Sequence, residues 1–308
     1  MNLSTRDYCM GVAVALTWGM GMVFAKAAIE HFPPMLLMAF RSVLTALVLV
    51  WFVKIPKKSL VQIALIAAIS GTLQFALTLT GLLSIDAGVA ALITQLEVPF
   101  LILLGFIFLS EKPSIRIWVG IGIAFAGVFI VTGAPQHSSS WFAILLVVGG
   151  SIAWAVGQVM VRALKDINGL TLVAWVAVFA GPQLFASSFI FETGQLEAIK
   201  SAGWIVWAAV VYLGLVMTAL GYGMWYSLVR NHPVAKVAPF LLLLPVFSML
   251  GGVLFLGEHL TLYTILGGTI IIGGVAFITL ERKPDENTNT EDDALDWHTD
   301  SECEKTVV

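Results

Sequence analysis

The stretch Phe108-Leu109-Ser110-Glu111, followed by Gly120 and Gly127, has a second copy: Phe255-Leu256-Gly257-Glu258, followed at the same spacings by Gly267 and Gly274. Working back from it, Trp18, Gly21, Lys26 and Ala27 recur at matching intervals as Trp154, Gly157, Arg162 and Ala163, and Pro99 corresponds to Pro245 if one glycine of the Gly251-Gly252 pair is extra. Self-similarity of this kind reads as two related units in tandem. The expected boundaries are residues 1–136 for the first unit and 137–280 for the second, with a tail from 281 to 308.

The composition places both units in a membrane. Apolar residues make up 59% of the chain and charged ones 11%, against about 25% charged in a soluble domain. Ten mostly apolar runs, each long enough to cross about 30 Å of hydrocarbon as a helix, are predicted near 7–29, 34–53, 59–83, 87–109, 114–133, 140–163, 169–191, 203–229, 233–256 and 261–280. The expected fold is therefore an all-α membrane protein. The first run carries Lys26 near its far end and lacks an Ala-x-Ala site, so it reads as a span and not a cleaved leader.

The basic residues set the orientation. With Lys26, Arg41 and Lys236 left aside as lying within spans, Arg6, Lys54, Lys57, Lys58, Lys112, Arg116, Arg162, Lys165, Arg230, Arg282, Lys283 and Lys305 fall on one side of ten spans and only Lys200 on the other. Excess Lys and Arg marks the cytoplasmic face, so both termini are expected inside. Five spans per unit is an odd number, so the second unit runs with opposite polarity to the first. Inverted repeats are a recurrent architecture of secondary transporters, whose solute binds near the midplane between the halves.

The tail holds ten acidic and three basic residues with almost no apolar periodicity and reads as a solvated cytoplasmic end. Cys9 and Cys303, one near each terminus, form neither a metal spacing nor a disulfide framework. No cofactor, metal or nucleic-acid partner is expected, and the partners are a small-molecule solute and the lipid bilayer. The glycines seven apart in the last helix of each unit allow close helix approach, within one chain or between two, so monomer and homodimer both stay open.

Charge within hydrocarbon is costly and marks a cavity, a partner or an interface. Lys26 and Arg41 flank the short turn at 29–34 and are expected to snorkel to the nearby surface. Glu97, in Gln95-Leu96-Glu97-Val98-Pro99, stands about halfway through the fourth span, where a carboxylate is protonated, paired or wet. Pro99 removes a backbone donor and frees the carbonyl near Gln95. Lys236, Pro239 and Pro245 in the ninth span suggest a bent or locally unwound helix, with Lys236 either at the solute or snorkelling. Gln74 and Gln158 add neutral hydrogen-bonding groups, and Trp18, Trp154, Tyr222 and Trp225 add flat surfaces. The candidate solute contacts are thus Trp18, Gln74, Gln95, Glu97, Trp154, Gln158, Tyr222, Trp225, Lys236 and Pro239, with Glu97 also the candidate proton carrier. Glu111 and Glu258 read as helix-end contacts at the membrane edge.

These residues resemble the EamA family of the drug/metabolite transporter superfamily over residues 7–280. The resemblance rests on Thr17-Trp18-Gly19 with Lys26-Ala27, His31-Phe32-Pro33-Pro34 with Arg41, and Phe108-Leu109-Ser110-Glu111 leading to Gly120 and Gly127. It rests also on Gly221-Tyr222-Gly223-Met224-Trp225, Val237-Ala238-Pro239-Phe240 and Leu243-Leu244-Pro245-Val246. The segment from Gly221 to Pro245 is most similar to bacterial exporters of amino acids and their metabolites, of the O-acetylserine and cysteine type, which implies efflux across a bacterial inner membrane by alternating access. In that reading Lys236 attracts a carboxylate and Glu97 faces the amine or carries a proton. The family pattern does not require a glutamate at position 97, so a coupling role for Glu97 rests on physics alone.

The alternative within the same fold is efflux of drugs or organic cations, with Glu97 as counter-charge and the aromatic rings for cation–π contact; Lys236 argues against it. An enzyme is disfavoured because the spans hold no nucleophile–base pair and no His and acidic cluster of metal spacing. A channel would show no saturation. Cysteines introduced as His137→Cys and Lys165→Cys, with Cys9 and Cys303 replaced by serine, test the inversion: an impermeant thiol reagent labels position 137 from outside and position 165 only after the membrane is opened. Labelling of both from one compartment would refute it.

Overall fold

The computed structural model describes residues 4–109, 114–132, 141–162, 164, 167–232 and 237–279. Within these, the chain folds as ten apolar helices: α1 Thr5–Ile29, α2 Pro34–Leu49, α3 Lys57–Leu82, α4 Ala87–Phe108, α5 Ile115–Thr132, α6 Trp141–Arg162, α7 Gly169–Phe191, α8 Trp204–Asn231, α9 Ala238–Leu256 and α10 Leu262–Thr279. Nine are long and apolar enough to cross a membrane, and α5 is a slightly shorter apolar helix. Large apolar side chains such as Phe129, Leu145, Phe189 and Leu254 cover the outside of the bundle. Exposed in water they would drive association; against lipid tails they are at home.

The packing has an internal symmetry. If each helix is exchanged with the one five places on, the pairs α1·α8 and α6·α3 interchange, as do α1·α9 with α6·α4 and α2·α8 with α7·α3. The pairs α2·α7, α4·α9 and α5·α10 map onto themselves. Since helices alternate in direction, a step of five reverses polarity, and the fold is two inverted five-helix halves interleaved with each other.

The repeat that opened the sequence reading explains its own glycines. A Cβ on Gly127 would lie 2.8 Å from the Gly267 carbonyl oxygen and 2.7 Å from the Ile271 nitrogen, and one on Gly274 2.9 Å from the Gly120 carbonyl and 2.7 Å from the Ala124 nitrogen. The four glycines thus face each other across α5 and α10, backbone against backbone. Their close approach is within the chain.

The sequence motif also shapes the end of α9. Gly257 takes a left-handed φ of 68°, which suits glycine, and the Glu258 N–H bonds back to the Gly252 carbonyl at 3.1 Å, closing the π-helical last turn of α9. The turn aims the Glu258 carboxylate at the start of α4. There it accepts from Ala87 N–H at 2.6 Å and Gly88 N–H at 3.3 Å, so its place as a helix-end contact is structural. Glu111, the counterpart in the first half, lies outside the described residues.

Substitution tests the crossing. Gly127→Ala is expected to destabilise the protein by about 1–3 kcal/mol through overpacking, read as a lower melting temperature in detergent. Gly122→Ala, with no atom within 4 Å of its added methyl, is expected to leave stability unchanged or raise it.

Candidate functional site

Four helices depart from regular α geometry, and the departures gather around one region. The third helix of each half carries a π-helical stretch, Ala67–Leu73 in α3 and Tyr212–Leu220 in α8. The fourth helix of each half is also interrupted. In α4 the segments Ala87–Thr94 and Glu97–Leu109 are separated by a turn at Gln95 and Leu96, and α9 starts as a tight 3₁₀ stretch, Ala238–Leu243. π segments of this kind are frequent at functional sites.

The α4 break follows from Pro99. With no N–H at 99, the Gln95 carbonyl loses its ordinary partner four residues on and takes the Val98 N–H instead, at 3.3 Å. The tightened turn leaves Glu97 in the first turn of the second segment, where unsatisfied N–H groups and the positive end of the helix favour a carboxylate. Among the described residues no cation pairs with Glu97. Its neighbour Gln95 donates to the Leu241 carbonyl at 3.4 Å, tying the α4 break to the 3₁₀ stretch that also contains the half-buried Pro239.

Side chains satisfy the widened α8 segment. Thr218 donates to the Leu213 carbonyl at 2.7 Å, Thr45 to the Gly214 carbonyl at 3.0 Å, and the Trp18 indole to the Met217 carbonyl at 3.0 Å. That last bond fixes Trp18 against Tyr222 and Trp225, with ring centroids 4.9 Å and 6.0 Å apart. Toward the end of the bundle that carries the N-terminus, Val14, Leu228 and Val237 close beneath this aromatic group. Tyr222 lies within Coulombic reach of both Glu97 and Arg41. Tyr222 and Glu97 both keep intermediate solvent accessibility within the bundle.

On the pseudo-symmetric side, Trp154 shares a face of α6 with Gly150 and Gly157, which pack on Thr78 and Ser70 of α3, so Trp154 relates to α3 as Trp18 relates to α8. Gln158 is half-buried beside it. Gln74 retains only 7% exposure, and among the described residues its amide has no hydrogen-bond partner. The structure therefore brings together Trp18, Tyr222, Trp225, Gln95 and Glu97, places Trp154, Gln158 and Gln74 on the α3·α6 side, and sets Pro239 in the α9 stretch. Lys236 lies outside the described residues.

Lys26 reaches the nearby end of the bundle as expected, but Arg41 does not. Lys26 donates to the Leu82 and Leu83 carbonyls at 2.6 and 3.3 Å, capping α3, because those last carbonyls have no partner in their own helix. Arg41 retains 6% exposure and points into the bundle, donating from Nε and Nη2 to Thr218 at 3.1 and 3.0 Å, with its guanidinium 4.4 Å from the Phe75 ring centre. Thr218, Thr45 and Phe75 were not among the sequence candidates, nor was Glu192, which accepts from Met35 and Leu36 N–H at 2.8 and 3.2 Å and caps α2. An open depression of about 580 Å³ lies elsewhere, beside the short helix Gln195–Ser201, and contains none of these residues.

Aromatic rings, amides and a carboxylate thus gather where the helices of two inverted halves are interrupted, the kind of place where transporters of this architecture build their solute sites. Residues 5–133 and 141–280 each match the EamA-like transporter family, and the chain belongs to that family. It is similar to a probable amino-acid metabolite efflux pump of Salmonella typhimurium, at 27% identity over 89% of this chain and 94% of the relative. A protein of the same description from Escherichia coli is 26% identical over 89% and 94%. A solved crystal structure superposes with a TM-score of 0.63 over 90% of this chain and 98% of its own, at 18% identity, which shows the shared fold.

Burial pushes the Glu258 carboxyl above its ordinary range, against the opposing pull of the Ala87 and Gly88 N–H groups and of Lys26. A carboxyl whose folded pKa is raised binds its proton more tightly in the folded state, so its stabilising effect is present at low pH and lost as pH rises through the folded pKa. Glu258→Gln is therefore expected to melt at or above the wild-type temperature at pH 8, an advantage that shrinks on acidification. Glu258→Ala, which leaves two N–H groups uncapped, is expected to cost about 1–3 kcal/mol at either pH.

Proposed function

We infer that the protein exports small metabolites, amino acids or their derivatives foremost, across a bacterial inner membrane by alternating access. The observation that carries this reading is the constellation of Trp18, Tyr222 and Trp225 facing the α4 break that presents Gln95 and Glu97. Rings offer a surface to the apolar part of a solute, the amide offers hydrogen bonds, and Glu97 is set to face an amine. The relatives described as probable amino-acid metabolite efflux pumps support the same solute class. Residues 1–136 and 137–280 serve as the two rocking units, both termini face the cytoplasm, and the tail from 281 to 308 stays there with them. Trp154, Gln158 and Gln74 line the pseudo-symmetric wall, Pro239 keeps the α9 stretch bent, and Lys236 receives the solute at the inner end. Glu97 doubles as the proton carrier.

The aromatic group beside Glu97 also suits an organic cation, the second reading; a carboxylate requirement separates the two. Purified protein in liposomes loaded with labelled amino acids is expected to release them with saturation, and absence of release above empty vesicles for all twenty would discard the solute class. Glu97→Gln is expected to abolish the dependence of net efflux on a pH gradient while exchange persists. Unchanged gradient dependence would remove Glu97 from the proton path.

A further inference from the structure

Arg41 is a cation deep in an apolar bundle for which the described residues supply no carboxylate. Burying such a charge costs several kcal/mol unless it is paired and fully hydrogen-bonded. Its partners are weak. Nε and Nη2 share the single Thr218 hydroxyl, Nη1 reaches only the Met38 sulfur at 3.3 Å, and the Phe75 face supplies a cation–π contact. A guanidinium carries more N–H donors than these acceptors use. Thr218 is itself committed, since its hydroxyl hydrogen goes to the Leu213 carbonyl in the π segment, so it holds the guanidinium in place without neutralising it.

The surroundings say what would. Arg41 hangs between the two π-helical stretches, bonded to Thr218 inside the second and stacked on Phe75 just after the first. Tyr222, one ring of the aromatic group around Trp18, lies near both this guanidinium and Glu97. Arg41 and Glu97 thus both lie near Tyr222, and among the described residues neither is bonded to the other. Two opposite charges that do not neutralise one another fit a dipolar solute, and a planar guanidinium fork fits a carboxylate best of all common anions in a small metabolite.

The geometry points to Arg41 as the group that receives the carboxylate of the transported solute, with Thr218 and Phe75 as its positioning residues. This rests on the exporter reading and narrows it: the solute carries a carboxylate at one end and an amine, directed toward Glu97, at the other. Carboxamides lacking the anionic group are poor solutes, because they leave the buried guanidinium uncompensated. A mobile carboxylate fits the lack of a resident one among the described residues, since a permanent partner would occupy the fork.

The test compares proteoliposomes loaded with labelled amino acids and with the corresponding amino-acid carboxamides. Wild-type protein is expected to release the acids about tenfold or more faster, the discrimination of a charge-assisted hydrogen bond made or lost. In Arg41→Met that ratio is expected to collapse to about one, and Arg41→Lys, a point charge without the fork, to give an intermediate ratio. Inorganic phosphate or chloride added to wild-type vesicles is expected to leave release unchanged; inhibition by either would make Arg41 a general anion site and overturn the assignment. If Arg41→Met does not fold, Arg41→Lys carries the test: a ratio in Arg41→Lys unchanged from wild type, or equal release of acids and carboxamides by the wild type, rejects the proposal while the exporter reading stands. Release of neither brings down the exporter reading and this one together.

Discussion

Inside hydrocarbon a backbone N–H or C=O with no partner costs several kcal/mol, so every departure from α geometry must be repaired locally. That constraint organises the centre of this molecule. In the π stretch of α8, Thr218, Thr45 and Trp18 donate to the carbonyls of Leu213, Gly214 and Met217. The α4 break persists because Val98 N–H takes the carbonyl that Pro99 leaves free, and because Gln95 reaches across to α9. Each repair commits a side chain to a fixed direction. Trp18 is aimed at Tyr222 and Trp225 by the same bond that completes the helix behind it.

The charges sort by the same logic. Lys26, Glu192 and Glu258 sit at helix ends and are consumed there, on the carbonyls ending α3 and on the amides opening α2 and α4. Helix ends have orphan groups and partial charges of the right sign, so these residues hold the bundle together at the end that carries the α1–α2 turn. His31, bonded to the Ala198 carbonyl at 3.0 Å, adds a link between the halves at that end. Arg41 and Glu97 differ, lying where no helix end consumes them fully. The contrast between committed and uncommitted charge separates scaffold from site better than depth in the membrane does.

The crossing of α5 and α10 plays the opposite part. Four glycines put two backbones in contact over two turns, and the many small van der Waals contacts of such a face hold membrane helices together where the hydrophobic effect does not.

Much of this was legible in the residues. Hydropathy marks ten spans because only a helix satisfies its own backbone in lipid, and the repeated motif announces the pseudo-symmetry. Pro99 announces the α4 break, since a missing N–H is a property of the residue and not of its neighbours. Trp18 and Trp154 stand out because the repeat superposes them. Arg41 was misjudged from sequence: its nearness to the turn at 29–34 suggested a route to the surface, although two helical turns past Pro34 is a depth from which inward burial competes. Thr218 and Phe75 carried no signal at all, for a threonine or a phenylalanine in a span is ordinary until its partner is known. The sequence alone determined spans, repeats and the proline-bearing helices α4 and α9 as places that must yield, because those depend on local covalent chemistry and on the solvent; the π stretches of α3 and α8 carried no such signal. Which buried charge is committed and which is left open only the tertiary structure decided, since pairing is set by helices α2, α3 and α8 that meet in space from far apart in the chain.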